Sequence, residues 1–564
     1  MSLSFDGAVL ELVSLVALVF SLVLSAVVLS RYSRLEDPVG LLRERFVYGI
    51  PWGTAIVIAL VYTVYYLVQG GGEDGGPIMT AFRSWSLWYP QGALFSSFAH
   101  ASHSHLQGNV LGAIVFAPIV EYVWGHYRFE QENSSEQHSD NETNSVRNRL
   151  VATPPGRIAV FVAAVVVVGL LGSLLVPGAV IGFSGLVFAF AGFALVVKPL
   201  VTIVAILGLQ ALRLLVRAFE SPIVTATAEP RFVTPSWADV ALQGHLFGVL
   251  IGAVLAVGLL RLRNQQPEIV YVWYAALVFA VTRSMEAVYW YLGTDQYILF
   301  RAVGTAGIIL LAVVIAVAAA GPRPGDNTPR WQRLPALRSV AIGLLTVSLV
   351  VLSIGGFAYS IAPVSPGEEI EAASENQIEV GDYTITYAEG VEDQYIGAVS
   401  VPPLWEPSVT VSGVIITSDE RNVWERAVSA NELAFDGRVT IPVGDATWRE
   451  LVHIDRTAWS FTEGNSTAKV FGTVSDESWT LLYRDSPAKS DVTVNNANLS
   501  IEPVDEFYNL TVERDDQVID SKQLPTANET FTIDGVEYER VNDDLMVRHE
   551  GTEFTVAQFQ TREQ

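Results

Sequence analysis

Residues 180–188 read Val-Ile-Gly-Phe-Ser-Gly-Leu-Val-Phe, which places Ser184 between two glycines at the junction of two hydrophobic runs. A polar residue in an apolar segment is costly and usually has a function. Gly182 and Gly185 leave the backbone beside Ser184 open to close approach by a helix or an extended peptide. The motif alone therefore allows two interpretations, a small residue for helix packing or a serine with a chemical role.

The composition predicts a polytopic α-helical membrane protein. The chain has 564 residues, of which 50% are hydrophobic and 16% are charged, and its mean hydropathy is +0.36. That is too apolar for a soluble protein of this length. Cysteine is absent, which excludes disulfides, thiolate catalysis and cysteine-ligated metals.

The acidic charge is concentrated in the C-terminal third. Residues 363–564 hold 39 of the 59 acidic residues but only 13 of the 34 basic ones, and the whole chain has four lysines. A salt-rich medium favours such a surface, because screening weakens the repulsion between like charges. We therefore expect a water-exposed, salt-adapted domain here; an ordinary acidic domain is the alternative.

Hydropathy predicts ten membrane spans. They cover residues 7–30, 47–68, 106–124, 157–176, 184–198, 199–217, 239–261, 268–292, 299–320 and 337–361. The first span has no basic segment before it and no convincing small-residue cleavage site, so we interpret it as a retained helix rather than a signal peptide.

Arginine placement orients these spans. If they alternate in direction, the arginine-rich loops after the first, third, seventh and ninth spans fall on one side together with Lys198. Basic loops mark the cytoplasmic side, so both termini are predicted to lie outside the cell. Arg213 and Arg217, near the outer end of their span, are the exceptions.

The C-terminal third has a β pattern. Short alternating runs such as 383–387 and 409–416 are separated by Gly, Pro, Asn and Asp, which predicts one or two sandwich-like domains. Glycosylation sequons agree with an outside location; they begin at Asn465, Asn498, Asn509 and Asn528. Two further sequons, at Asn133 and Asn141, lie in the polar loop 126–156, which is predicted to be cytoplasmic and disordered.

Three kinds of membrane-embedded hydrolase lack their residues in this chain. There is no His-Glu-x-x-His zinc motif. The Gly-Asp pairs lie at 325–326, 381–382 and 444–445, outside the spans, and Asp239 has no intramembrane aspartate partner. Lys198 is 14 residues from Ser184, about 21 Å along a helix and therefore too far for a serine–lysine dyad. Serine with histidine remains.

His245 is the candidate base. It lies about two turns, or roughly 9 Å, into its helix from the outer side. Ser184 begins a span of only about 21 Å from the same side, shorter than the ~30 Å apolar slab. Both side chains can therefore reach one depth if 177–183 dips into the membrane, which requires a watery cavity. Gly248 and Gly252 offer a smooth helix face for this approach.

The proposed dyad has predicted neighbours. His245 would take the Ser184 proton and return it to the leaving amine. No carboxylate is evident as a third member of the site. Phe188, one turn after Ser184, would pack on the imidazole. His105 and Asn109 share one helix face and, with the Ser184 backbone N–H, would stabilise the oxyanion.

The polar residues also allow other interpretations. His245 alone could be a hydrogen-bonded structural histidine. His100, His103 and His105 could form a metal cluster or be interfacial polar residues. Glu121 is expected to accept hydrogen bonds at a helix end.

Two further groups have no predicted chemistry. Trp85, Trp88 and Tyr89 resemble an interfacial aromatic belt. Arg283 and Glu286 could form an ion pair within one span.

Four linked motifs together resemble the rhomboid family of intramembrane serine proteases. They contain His100…His105-Leu-Gln-Gly-Asn109, Glu121-Tyr-Val-Trp-Gly125, Gly182-Phe-Ser-Gly185 and His245-Leu-Phe-Gly-Val-Leu-Ile-Gly252. The resemblance implies a six-helix catalytic core over 47–262. It makes Ser184 the nucleophile, His245 the base, and His105 and Asn109 the oxyanion side chains. It also implies that His100 is a structural histidine near the cavity and that 218–238 with the adjoining helix forms the substrate gate.

The chain departs from the family in places. Many relatives have a Trp-Arg pair in the first outer loop, where this chain has Arg83-Ser-Trp85. Some have tyrosine at the position of Phe188. Outside the core lie an N-terminal helix and loop (1–46), three helices (263–362) and the acidic β-rich domain (363–564).

The predicted function is therefore an intramembrane serine endopeptidase of the cell membrane. It would cleave transmembrane segments of other proteins near the outer face, without cofactor or metal; the alternative is a non-catalytic protein that binds membrane clients. The expected partners are transmembrane substrates and the lipid bilayer, not nucleic acid. The outer β domain would recruit substrate or contact the cell envelope.

Overall fold

The computed structural model describes most of the chain. The described residues are 6–32, 38–127, 152–224, 230–238, 241–320, 335–362, 370, 377–397, 408–475, 478–505, 507–525 and 529–560. The sequons at Asn133, Asn141 and Asn528, most of the loop 126–156, and Asp239 lie outside them.

The N-terminal two-thirds is helical. Its helices are α1 (Asp6–Tyr32), α2 (Pro38–Arg45), α3 (Trp52–Thr63), α4 (Pro90–Phe95), α5 (His103–Trp124), α6 (Pro154–Leu175), α7 (Ser184–Val197), α8 (Pro199–Glu220), α9 (Leu242–Leu262), α10 (Ile269–Thr282), α11 (Arg301–Ala320) and α12 (Pro335–Ile361). A π-turn, Val64–Val68, extends α3, and 3₁₀ turns occur at Val47–Gly49 and Thr80–Phe82.

Each predicted span overlaps one of these helices. Among the described residues, seven helices are long and apolar enough to cross a membrane, judged by length and composition. The apolar helices Trp52–Val68, Ser184–Val197 and Ile269–Thr282 are shorter.

The predicted span 268–292 is wrong at its C-terminal end. Helix α10 stops at Thr282, and Ser284 adopts a φ of 51°. An antiparallel hairpin of β1 (Tyr289–Gly293) and β2 (Gln296–Leu299) follows. Its aromatic residues favour a strand, and the two-residue loop has positive φ at both positions, as the twist of a tight hairpin requires.

Helix α7 is central to the helical part and packs against α9 through glycine. A Cβ added at Gly248 would lie 2.2 Å from the Gly185 carbonyl oxygen, and one at Gly252 would lie 2.1 Å from that of Ala189. Only a residue without a side chain allows this approach. The predicted contact along Gly248 and Gly252 is confirmed.

Arginines collect where α5 ends. Arg45 donates to the Val123 carbonyl at 3.3 Å, Arg157 to that of Gly125 at 2.7 Å, and Arg263 to that of Val123 at 3.3 Å. These bonds satisfy carbonyls that have no partner within the helix and place positive charge at its negative end. The basic side chains of three sequence-distant segments thus meet at one end of the bundle.

Glu121 joins α5 to the start of α3. Its fully buried carboxylate accepts bonds from the backbone N–H groups of Gly53 at 2.7 Å and Thr54 at 2.8 Å, and it contacts His126 Nε2 at 2.6 Å. A carboxylate at a helix N-terminus satisfies free N–H groups and interacts favourably with the dipole. Its predicted role as an acceptor at a helix end is confirmed.

In its described residues the C-terminal part is an all-β domain that also contains the short helices α13 (Gln394–Gly397) and α14 (Ala430–Asp436). Its strands are β3 (Ile378–Val380), β4 (Tyr383–Glu392), β5 (Thr410–Ser418), β6 (Val423–Ser429), β7 (Arg438–Gly444), β8 (Arg449–Phe461), β9 (Ser466–Val474), β10 (Thr480–Arg484), β11 (Ala488–Lys489), β12 (Asn498–Val504), β13 (Phe507–Arg514), β14 (Gln517–Gln523), β15 (Thr530–Ile533), β16 (Val536–Val541), β17 (Asp544–His549) and β18 (Thr552–Gln560).

Three antiparallel sheets build this domain around two main hydrophobic cores. The sheets have the orders β3-β4-β5-β6, β11-β12-β13-β14 and β10-β9-β8-β18-β17-β16-β15, with β7 also paired to β8. The long strand β8 serves both cores: Val452 packs in the first, and Trp459 packs in the second. The domain is therefore two sandwich-like halves that share one strand.

The β domain packs on the loop that precedes α5. Arg421 forms ion pairs with Asp382 and Asp445 and also contacts the Tyr89 hydroxyl. Glu425 pairs with Arg83 at 3.1 Å and accepts a 2.6 Å hydrogen bond from Thr80. The domain is thus joined to the helical part by several polar contacts.

The predicted aromatic belt is wrong for two of its three members. Trp85 is buried and stacks on Tyr395 of the β domain, with ring centroids 5.1 Å apart, and Tyr89 lies under the Arg421 guanidinium. Trp88 is 66% exposed. Hydropathy did not reveal that a β domain would cover this loop.

Candidate active site

The backbone before α7 holds Ser184 at the start of its helix. Gly182 donates to the Ser96 carbonyl at 2.8 Å, and Ser84 donates to that of Val180 at 3.1 Å. Gly182 has a φ of +128°, which favours glycine. Because Ser184 is the first residue of α7, its backbone N–H has no acceptor within the helix and can serve a ligand.

One cavity collects the predicted site residues. Ser184 of α7, His245 of α9, and His105 and Asn109 of α5 all line it, together with Phe188. The sequence places these side chains far apart, and three helices bring them to one space. Ser184 also lines a second, apolar cleft between α6 and α9.

His245 is held by an aromatic ring. Its imidazole stacks on Phe188, with centroids 3.9 Å apart and an interplanar angle of 9°. Nδ1 is buried without a hydrogen-bond partner, which leaves Nε2 as the nitrogen able to face the cavity. The predicted packing of Phe188 on the imidazole is confirmed.

Ser184 and His245 share the cavity without a hydrogen bond between them. Such bonds are often long in unliganded active sites and shorten when substrate binds. No carboxylate among the described residues lines this cavity, so Ser184 and His245 have no third acidic neighbour among them.

His105 and Asn109 lie directly over Gly182, the glycine two residues before Ser184. A Cβ added at Gly182 would be 2.6 Å from the His105 ring and 3.7 Å from Asn109 Nδ2. Asn109 is 8% exposed, and its Nδ2 is buried without a partner. A buried donor without an acceptor is costly, and a ligand oxygen in the cavity would supply the missing acceptor.

The three neighbouring histidines do not converge. His100 is fully buried, and its ring centroid lies 5.1 Å from that of His105 in an edge-on contact. His103 is exposed and lies 3.1 Å from the Tyr66 hydroxyl through Nδ1. Within the described ranges no three His, Asp or Glu side chains are grouped as a metal site.

The cavity extends beyond the predicted six-helix core. Arg213 of α8, within that core, lines it, and Arg283, just after α10 and beyond the core, lines it too. The exceptional position of Arg213 among the other arginines was a signal in the sequence, but hydropathy could not show which way the side chain points.

The predicted Arg283–Glu286 ion pair is not present between these two described residues. The helix ends at Thr282, so the i, i+3 spacing no longer places the two side chains on one face. Glu286 Oε2 is instead buried without a hydrogen-bond partner.

The structure describes part of the predicted substrate gate, residues 218–238. Residues 225–229 lie outside the described ranges. Helix α8, which precedes this segment, contacts α5 near the C-terminal end of α8 through a hydrogen bond from Gln107 to Glu220.

No family model, curated protein or solved structure matches this chain.

Proposed function

We propose that the chain is a multi-pass membrane serine endopeptidase of the rhomboid type, which cleaves transmembrane segments of other proteins. The single observation that carries this proposal is the shared cavity of Ser184, His245, His105 and Asn109. It unites a nucleophile, a base and hydrogen-bond donors, the three components that acyl transfer needs. The four sequence motifs that resemble the family supply these same residues.

The chemistry follows from these positions. His245 Nε2 accepts the Ser184 proton while Oγ attacks the scissile carbonyl carbon. The resulting oxyanion accepts hydrogen bonds from the Ser184 N–H, Asn109 Nδ2 and His105. Collapse of this intermediate breaks the C–N bond as His245 returns the proton to the amine. A water, deprotonated by His245, then hydrolyses the acyl-enzyme and restores Ser184.

Two features of the fold support a membrane location. The long apolar helices expose large hydrophobic side chains, for example Val204 and Leu207 of α8, as lipid contact would require. The capping arginines Arg45, Arg157 and Arg263 gather at the end of α5 remote from Ser184. If basic residues face the cytoplasm, the active site and the β domain lie toward the outer side.

Substrate entry requires a helix to unwind near the cavity, because a helix hides its carbonyl groups in its own hydrogen bonds. Clients with small or helix-breaking residues close to the outer interface should therefore be cleaved best. The hydrogen bond from Gln107 to Glu220 joins α5 to α8, and its opening would let these two helices separate and admit the client from the side.

A second candidate is a non-catalytic client-binding protein. The lack of a hydrogen bond between Ser184 and His245 favours it. Stable client binding by the wild-type protein without turnover would decide for this alternative.

The test is cleavage of a labile model transmembrane substrate by the purified full-length protein in lipid vesicles. The wild type should produce a defined cleavage product, and Ser184→Ala should produce none. Ser97→Ala is a matched control, because Ser97 lines the neighbouring cleft and not the cavity that contains His245. Equal cleavage by the wild type and Ser184→Ala would refute the proposal.

A further inference from the structure

We propose that Arg213 and Arg283 bind an acidic side chain of the substrate polypeptide close to the scissile bond. This inference rests on the proposed function, because it assigns a substrate class to the same cavity. Arg213 reaches the cavity from α8 and Arg283 from the chain after α10, so two separate elements place a guanidinium beside Ser184 and His245.

The two guanidinium groups lack a counter-ion from the described chain. Neither Arg213 nor Arg283 forms an ion pair or hydrogen bond there, and no described carboxylate lines the cavity. The two arginines repel each other electrostatically. Two like charges that line one partly enclosed cavity create a positive potential there, which favours the entry of an anion.

The position of the pair favours a peptide carboxylate as that anion. Arg283 also acts electrostatically on the His245 ring, so the anion would lie beside the reacting groups, where the cleaved polypeptide must be. Guanidinium groups match the two oxygens of a carboxylate and bind it through paired hydrogen bonds. A lipid phosphate is the other chemical candidate, but it would have to occupy the space that the substrate needs during the reaction.

A bound carboxylate would also assist the chemistry. When His245 accepts the serine proton, the new positive charge is repelled by Arg283. An acidic substrate residue between the arginines offsets that repulsion, which arises only when the imidazole becomes charged, so the benefit is greater in the transition state than in the complex. We therefore expect the acidic residue to raise kcat in addition to lowering KM.

The experiment compares model transmembrane substrates that differ by Asp or Asn at one position, scanned over about four residues on each side of the cleaved bond. At low salt, at least one Asp substrate should show a kcat/KM about tenfold above its Asn partner, as expected for charged hydrogen bonds. The ratio should fall toward one in Arg213→Gln/Arg283→Gln and remain partly in Arg283→Lys. It should also fall as salt screens the charges.

Arg217→Gln is the matched control, because Arg217 lies one turn from Arg213 on the same helix but is exposed and does not line the cavity. This variant should keep the wild-type ratio. Asp/Asn ratios near one at every scanned position in the wild type would overturn the proposal.

A second set of reactions distinguishes a substrate carboxylate from a lipid phosphate. The wild type and the double variant are compared in vesicles of neutral lipid alone and with added anionic lipid. If only anionic lipid stimulates cleavage, and only when both arginines are present, a phosphate is bound and the peptide proposal is overturned. The Asn substrates test the proposed function separately from the Asp/Asn ratio. If the wild type cleaves them and Ser184→Ala does not, the proposed function is supported whatever the ratio is.

Discussion

The imidazole of His245 lies nearly parallel to the phenyl ring of Phe188, with the ring centroids 3.9 Å apart. In a serine triad, an aspartate that accepts a hydrogen bond from the histidine orients the ring. Here no described carboxylate lines the cavity, and Nδ1 is buried without a partner. If the site is catalytic, we expect this aromatic face to orient the imidazole in place of a carboxylate, and catalysis to depend on it.

Replacing Phe188 by leucine should lower kcat about tenfold, because the loss of a stacking contact frees the imidazole to leave its reactive orientation. Phe188→Tyr keeps the ring and should retain most of the activity. Steady-state cleavage of a model substrate, with kcat and KM determined separately, measures the effect. Wild-type kcat in Phe188→Leu would show that the stack has no catalytic role.

Replacing Asn109 by alanine should lower kcat about a hundredfold, the usual cost of losing one oxyanion donor. KM should change little, because the bond forms mainly in the transition state. Asn109→Asp tests the same point with similar shape, since an ionised carboxylate cannot donate. Unchanged kcat in either variant would exclude Asn109 from oxyanion stabilisation.

Replacing Gly248 by alanine should lower the free energy of unfolding by about 1–3 kcal/mol, the typical cost of overpacking. The new methyl group would meet the Gly185 carbonyl at 2.2 Å. Gly258→Ala is the control on the same helix, because a Cβ there meets nothing within 4 Å. Thermal unfolding in detergent compares the two, and equal stability would contradict the close contact of α7 and α9.

Asp445 should make the stability of the β domain sensitive to acid. Burial raises the pKa of this carboxyl, but hydrogen bonds from Thr447 and Arg421 lower it more, so the net pKa lies below its ordinary value. A group with a lowered folded-state pKa contributes stability above its unfolded pKa of about 3.9, and this contribution is lost as pH falls through the folded value.

In unfolding measurements between pH about 6 and pH about 3, the wild type should therefore lose more stability than Asp445→Asn, with a difference below about 1 kcal/mol for a partly exposed pair. An identical pH profile for the two proteins would contradict the contribution of this ion pair.

Local patterns predicted much of this fold. Apolar runs located the helices, and alternation located the β domain, because each depends on residues that are neighbours in the sequence. The glycine stripe at Gly248 and Gly252 and the acceptor Glu121 were also predictable, since their spacing on a helix determines which face they occupy.

The errors come from contacts between distant segments. The span 268–292 continues as a hydrophobic run, but its aromatic end is stable as a hairpin, so hydropathy could not separate the two. Trp85 has the composition of a membrane belt, yet Tyr395 of the β domain covers it. Arg283 enters the cavity because α10 ends at Thr282, which no helical periodicity reveals.

The most direct test of the Ser184–His245 dyad is labelling with a fluorophosphonate probe, which reacts only with an activated serine. In the wild-type protein the label should be found on Ser184 by peptide mapping, and His245→Ala should lower its rate of attachment at least about a hundredfold. Equal labelling of Ser184 with and without His245, or no labelling of Ser184 in an otherwise folded protein, would contradict this mechanism.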